Sequence, residues 1–478
     1  MSEGIQHAGQ FKIDTCELVT STGLFIDLKS TVVGLTIFEA LDSLTISGQL
    51  VVADSVNMVS HGPILGQEYL HLKIYTPGFT STNDGVIDFS ENVFLVHSVS
   101  AREKMTEGTQ SFVLNFASQE LIKNQRLKVT QSLTGSWSDI VKQMLTDTSY
   151  LDTKKRMVIE PSAGIKKFVA PNIRPLDVVK LATKQAVSTF KGESTYLFYE
   201  TLKGFNFRTL ASMYNTKELM EYTTLIPGTN IDKNGSIDVL RDLSTILSYK
   251  IVSNNDNIVN YRNGMYSSQL IVHDIISKAY RTDIYKYHDH FEKEHHIVGG
   301  VTAENPEFPI ASDLYVNEKK QRVSDFFART FVMPTSKTGS GDNDGQHNTD
   351  INNTPYRRYD PENWLQSRNS QMIQLENAFN INIEVHGNTL VNVGDKVTVN
   401  IPYTAALKGE SVYDRIYSGP FLVKKIRHDF NILSQPAQHT MHLNLVKDSL
   451  EERMGAPDDN YEPAALESGL IEEYEYTT

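Results

Sequence analysis

Two stretches far apart in this chain carry the same landmarks in the same order. In the first, Gly66-Gln-Glu precedes an alternating strand that ends Tyr75-Thr-Pro. In the second, Gly394-Asp-Lys precedes Val397, Val399, Ile401 and Tyr403-Thr. Phe94-Leu-Val begins 28 residues after Gly66, and Phe421-Leu-Val begins 27 after Gly394. Leu114-Asn-Phe lies 20 residues past Phe94, and Leu443-Asn-Leu lies 22 past Phe421. Ordered self-similarity of this kind marks one supersecondary unit used twice, although the glycine-led strand slips by one residue between copies. A chain with two copies of one module, assembled as a threefold ring, presents six similar modules. Edge strands left open on a small sheet can pair with a neighbouring subunit, so such a ring can meet a sixfold partner on one face and a threefold partner on the other.

The modules read as strands because apolar residues alternate. Ile46, Leu50 and Val52 share one side of Thr45–Asp54, and Leu70, Leu72 and Ile74 share one side of Glu68–Tyr75; a period of two marks a sheet with one face buried. Val93–Ser100 and Gln110–Ala117 follow, joined by the charged turn 103–108, and a second β-rich block fills 381–447. Between the blocks the period changes. Trp137, Ile140, Val141, Met144 and Leu145 recur at helical spacing behind Ser136, and a helix is expected to open at Pro175. Strands return at Ser194–Glu200 and Gly204–Leu210. Ser248–Val252 and Leu270–Ile276 read as strands or short helical pieces. A polar stretch over 335–361, whose only aliphatic residue is Ile351, reads as a loop, and a helix through Met372, Leu375 and Phe379 leads out of it.

The expected fold is therefore α+β, a β-rich multidomain chain with two similar small antiparallel β-barrels plus α/β insert domains. The expected divisions are 1–124 (first barrel), 125–215 (α/β insert), 216–364 (mixed, with the loop 335–361), 365–450 (second barrel) and 451–478 (acidic tail). Apolar residues at 40% of 478 fit several small domains better than one large core. The single cysteine, Cys16, excludes an intrachain disulfide framework and a multi-thiolate zinc site. No apolar run reaches the ~18 residues of a membrane span, and the first residues lack the pattern of a secretory signal; the expectation is a soluble protein made in a reducing compartment. In the tail, nine acids against Arg453 give −8 of the formal −13, leaving −5 for the rest. That balance argues against strong binding to a phosphate backbone.

These residues resemble a family. Ile46-Ser-Gly-Gln-Leu-Val-Val-Ala-Asp54, Pro63-Ile-Leu-Gly-Gln-Glu68, Thr76-Pro-Gly78, Ser111–Glu120, Phe168–Leu176 and Tyr196–Phe207 form an ordered set. Val393–Val397, Tyr417–Phe421, Ile426–Phe430 and Leu445–Asp448 continue it. Together they resemble the baseplate hub protein of T-even-like contractile-tailed bacteriophages and, more distantly, the hub portion of VgrG-type spike proteins. The resemblance covers about 35–215 and 365–450. It implies a non-enzymatic homotrimer in the virion tail baseplate, assembled in the host bacterial cytoplasm. Its tandem barrels would form a pseudo-sixfold torus joining the hexameric tail tube, or a tube-initiator protein, to the trimeric cell-puncturing spike. Tape-measure and surrounding baseplate proteins are further implied partners, DNA passes only through the lumen, and no membrane insertion or cofactor is implied. The outward-facing strand positions of both blocks are the expected contact residues, and the acidic balance is expected to help the lumen repel DNA. The hub of a non-viral contractile injection system is the alternative within this class.

One cluster offers chemistry of another class. His288, His290, His295 and His296 lie among Glu292 and Glu294, and neutral imidazoles with carboxylates can hold zinc, as in a metal-dependent hydrolase built on His288, His290 and His295. The spacing is not His-Glu-x-x-His, however, and a solvated face or subunit contact is the default. His386, His428, His439 and His442 fall on expected strands, where hydrogen-bonded structural roles are favoured over ligation. Thr338-Gly-Ser-Gly lacks a phosphate-loop lysine, no Gly-x-Ser-x-Gly elbow occurs, and Cys16 reads as a buried apolar side chain.

Overall fold

The computed structural model describes residues 5–77, 85–190, 192–224, 238–253, 256–275, 278–298, 323–335, 348–349, 355–356, 360–377, 379–402, 413–414 and 416–450. Thirteen strands form one sheet and are labelled in chain order. They are β1 (Lys12–Val19), β2 (Phe25–Asp27), β3 (Val32–Ala40), β4 (Ser47–Asp54), β5 (Tyr69–Tyr75), β6 (Val86–Thr106) and β7 (Thr109–Ser118). The remainder are β8 (Met220–Thr223), β9 (Ile246–Ser253), β10 (Phe379–His386), β11 (Lys396–Asn400), β12 (Gly419–Asn431) and β13 (Gln438–Lys447). The order across the sheet is β9-β10-β13-β12-β3-β4-β7-β6-β5-β1-β2, with β11 on β12 and β8 on β11. The β-rich α+β class is thus as expected, and one ladder runs through both blocks.

The alternating residues do what their period dictates. Leu50, Val52, Leu70, Leu72, Ile74, Phe94, Phe112, Leu114 and Phe116 close one core, and Ile381, Ile383, Val385, Val397, Phe421, Leu443 and Leu445 close another. Cys16 lies in the first, and burial, then Asp27 and Glu17, pushes its thiol up to about 12. Fully burying one such aliphatic or aromatic side chain is worth ~1.5–3 kcal/mol, so each five-strand unit has a core of its own.

The two units match strand for strand. In the first, β3-β4-β7-β6-β5 are neighbours; in the second, β9-β10-β13-β12-β11 are. Leu70 faces Phe94 as Val397 faces Phe421, and Val99 faces Leu114 as Ile426 faces Leu443. Two of the irregularities coincide as well. The ladder shifts between Val96 and Ser98 in one copy and between Val423 and Lys425 in the other. It shifts again between Val32 and Gly34, and between Ile246 and Ser248. Bulges bend a strand and sharpen its twist, so matched bulges give matched curvature. The one-residue slip seen in the sequence lies in the turn, not the ladder. Gly66 and Gly394 both take positive φ, 87° and 86°, while Val96 and Val423 donate to the carbonyls of the aligned residues Glu68 and Asp395.

At one aligned site the volumes are exchanged. Gly48 faces Phe116 on β7, and a Cβ there would meet the Phe116 Cζ at 2.3 Å and the Thr36 carbonyl oxygen at 2.6 Å. Its counterpart Ile381 faces Leu445. Small against large in one copy becomes medium against medium in the other, which conserves packed volume.

Residues 119–214 fold over the first unit. Ser136 caps the helix Trp137–Thr146 and forms a capping box with Asp139, and Pro175 sits in the first turn of the helix Pro175–Gln185. Both pack with Tyr196, Phe198, Phe205 and Phe207 of the strands Tyr196–Thr201 and Gly204–Thr209. The attachment to the sheet is ionic. Lys155 Nζ lies 2.8 Å from Glu120 Oε2 and 2.6 Å from Glu200 Oε1, all buried. Glu200 Oε2 accepts from Ser118 Oγ and from the Ile46 amide, on and beside β7 and β4. Burial works against the Lys155 charge, but the two carboxylates outweigh it and raise its pKa.

Three local expectations are refined. The helix before β10 is Leu365–Asn377, and Phe379 opens the strand instead of closing the helix. Ser248–Val252 lies in β9 and Leu270 in the strand Ser267–Asp274, so both segments are extended. Within 335–361, Asn348–Thr349 pairs antiparallel with Pro355–Tyr356; most of the rest of that stretch, and all of the acidic tail 451–478, lie outside the described residues. Among the described residues no helix is long and apolar enough to cross a membrane.

Candidate assembly interface

The two units meet at one ladder. The second half of β12 pairs antiparallel with β3, from Lys425 opposite Ala40 to Asn431 opposite Gly34. On the outer face Thr36 Oγ1 donates to Asp429 Oδ1 at 2.8 Å. On the inner face Phe430 joins the first core. Its ring stacks on His439 at 4.0 Å between centroids and meets Phe11 edge-on at 5.1 Å.

Buried polar groups seal this joint. His428 Nε2 lies 3.2 Å from Glu39 Oε1, and His428 Nδ1 lies 3.1 Å from His439 Nε2. All three residues are closed to solvent. Burial first, and the neighbouring His428 second, push the His439 pKa well below that of a free imidazole. A Cβ at Gly387 would stand 2.1 Å from the His439 ring, so only glycine leaves room for it. His428 and His439 thus hold the hydrogen-bonded structural roles expected of them. Glu39 carried no local signal, because its partner lies almost 400 residues away in sequence.

The strands that would continue the pattern are open. β5 covers β6 only from Val86 to Leu95, so beyond that point β6 has β7 on one side and, among the described residues, no strand on the other. At the far end, β9 pairs, among the described residues, with β10 alone. It exposes Tyr249 (43%), Ile251 (38%) and Val252 (48%), and β6 exposes Met105 (64%). Unpaired edges with apolar side chains are templates for another strand.

The sheet face turned away from both cores is polar. Asn115 Nδ2 donates to Ser98 Oγ and Ser100 Oγ, and Asn444 Nδ2 donates to Asn380 Oδ1 and Asn382 Oδ1. Lys250, Lys425 and Arg427 stand there against Glu384 and Asp429, among Ser, Thr, Asn and Gln. Glu103 joins those two acids at the place aligned with Asp429, so three acids stand against three bases. The chain's acidic excess is concentrated in the tail.

The histidines of the alternative reading are held separately. His290 Nδ1 is 2.8 Å from the Lys286 carbonyl oxygen, and its ring stacks on Tyr285. His295 stacks on Phe190, and His288 lies 6.1 Å from the Tyr266 ring centroid. His296 is buried, with Nδ1 2.8 Å from Asp448 Oδ2 and Nε2 2.7 Å from the Phe291 carbonyl oxygen. Burial lowers its pKa, but Asp448 outweighs that and raises it. Among the described residues no three His, Cys, Asp or Glu side chains gather as a metal set.

No family model and no curated protein matches this chain. Solved structures do. A tail protein from Neisseria meningitidis MC58 is 12% identical with a TM-score of 0.48, covering 91% of this chain and 96% of its own. The 43 kDa tail protein of prophage MuSo2 from Shewanella oneidensis is 8% identical with a TM-score of 0.47, covering 91% and 98%. A Francisella PdpA–VgrG complex is 9% identical with a TM-score of 0.40, covering 95% of this chain and 55% of its own. Two of these neighbours are described as tail proteins, one of them of a prophage, and the third is a VgrG complex.

Proposed function

We propose that this chain is a structural hub of a contractile phage tail, a homotrimer with pseudo-sixfold symmetry that connects the hexameric tail tube to the trimeric spike. The observation that carries this reading is the joint between the two units. The units share strand order, aligned register and two of their bulges, and within the chain β12 of one pairs with β3 of the other. The corresponding strands at the free ends, β6 and β9, each keep one edge that no strand covers among the described residues. A head-to-tail contact between them repeats the internal joint, and a repeated rotation that closes on itself makes a ring. Two units per chain and six units per turn require three chains. Eight strands run from β9 to β6, so the closed ring has twenty-four.

The mechanism is mechanical and assigns no reaction to the chain. One end of the ring offers six similar surfaces to the tube, and the other offers the threefold-distinct parts to the spike. The polar face of the sheet would line the passage, and its amides, hydroxyls and nearly balanced charges give DNA no row of cations to bind. Tube-initiator, tape-measure and surrounding baseplate proteins are the remaining contacts of this reading, and the virion tail is its location. Light scattering of the purified protein, alone and with the candidate spike, tests it. A trimer that takes up three spike chains is expected; a monomer that ignores the spike at assembly concentrations overturns it.

A further inference from the structure

Resting on that trimeric reading, we infer that the six joints of the ring are of two chemical kinds. Between chains, β6 of one copy lies antiparallel on β9 of the next with Glu103 opposite Lys250, so exposed charge closes the joint that Glu39, His428 and His439 seal within a chain.

The register follows from the two units themselves. On the β12 side, Asp429 faces Thr440 of β13; at the aligned place in the first unit Glu103 faces Ser111 of β7. On the β3 side, Thr36 faces Gln49 of β4; at the aligned place Lys250 faces Asn382 of β10. Within the chain Asp429 and Thr36 are cross-strand neighbours and hydrogen bonded. Their counterparts, Glu103 and Lys250, are an acid and a base. Both are exposed, and neither makes an ion pair among the described residues. One step along, Phe430 opposite Leu35 becomes Lys104 opposite Tyr249, which lays a lysine stem across the exposed ring.

The histidine seal has no counterpart there. The place of His439 is taken by Gln110, which accepts from Arg102 Nε at 2.8 Å and donates to Asp54 Oδ2 at 2.8 Å. The place of His428 falls in a bulge of β6 where Ala101 has φ 47°. The joints between chains therefore depend on salt, because exposed charges are screened over about 8 Å at physiological ionic strength. The joint within a chain, where Glu39, His428 and His439 are closed to solvent, does not.

The test uses the full chain. Directly opposed residues on an antiparallel pair stand ~4.5–5.5 Å apart, within disulfide range, and the one native cysteine is buried. Oxidised Glu103→Cys/Lys250→Cys protein is expected to give a covalent ladder that stops at three chains. Glu103→Lys and Lys250→Glu alone are each expected to raise the half-association concentration about tenfold, and the double swap to return it to within about threefold of wild type. Raising NaCl from about 50 to about 500 mM should weaken wild type and leave the cross-linked trimer whole. A wild-type trimer that cross-links only through the shifted pair Arg102→Cys/Lys250→Cys, or that ignores both single charge reversals, overturns this register while the trimeric reading stands. Absence of any trimer in wild type overturns the trimeric reading and this joint with it.

Discussion

Nδ1 of His428 lies 3.1 Å from Nε2 of His439 across the β12–β13 ladder, with both rings shut off from solvent and Glu39 on the far side of His428. Two imidazoles this close share one hydrogen bond; burial makes a charge on His439 costly, and the neighbouring His428 adds to that cost. The depressed pKa of His439 is the result.

The acid limb of stability follows. Unfolded, His439 takes up a proton near ~6.5; folded, it does so only well below that. The unfolded chain binds more protons between the two values, so this contribution is present above about 6.5 and lost as pH falls. Thermal melts should show the sheet weakening from neutrality to about pH 5, and His439→Phe, which keeps the stack on Phe430, should flatten that slope. An unchanged slope would refute the assignment.

The clasp between His296 and Asp448 has the opposite sign. Its histidine pKa is raised, so the folded protein holds a proton that the unfolded chain releases. The stabilisation is complete below about 6.5 and disappears as pH rises through the raised value. Asp448→Asn should cost about 2 kcal/mol at pH 6 and much less at alkaline pH, read from denaturant midpoints at the two values.

Lys155 ties the insert to the sheet through two buried carboxylates. Lys155→Met strands both acids without a countercharge and should cost about 3–5 kcal/mol. Adding Glu120→Gln and Glu200→Gln should recover much of it, measured by urea unfolding.

Gly48→Val tests the volume exchange. The new side chain collides with Phe116 and the Thr36 carbonyl, an overpacking worth about 2–3 kcal/mol. Phe116→Leu in the same chain recreates the arrangement of Ile381 and Leu445 and should restore part of the loss in melting temperature.

Metal analysis bears on the rival class. The four histidines do not gather as a metal set among the described residues, so purified protein should carry no stoichiometric zinc. His288→Ala with His290→Ala should change neither metal content nor oligomeric mass.

What could be read in the sequence was what local period expresses. Leu70, Leu72 and Ile74 announced β5, Ser136 with Asp139 announced a helix start, and Phe94 and Phe421 did mark aligned places. Ser248–Val252 read as strand or helix, but its place as the first strand of the second unit escaped, because β9 lies far from β10 in sequence and its apolar side chains sit on an edge left uncovered among the described residues. The Lys155 cluster and Glu39 escaped for a related reason. A buried charge is defined by partners, and here those lie 35 to 389 residues away. The helix read as far as Phe379 overshot because β10 follows with a single residue between them.

That discontinuous second unit sets a timetable for synthesis. On the ribosome the first unit has every strand in hand once Ser118 has emerged, and its overhanging β6 is then exposed on the nascent chain. The matching β9 emerges next but has no sheet beneath it until β10 and β13 arrive, more than a hundred residues later. In the proposed trimer, a growing chain would hold only one half of the β6–β9 joint, so union of copies would wait until translation is nearly finished.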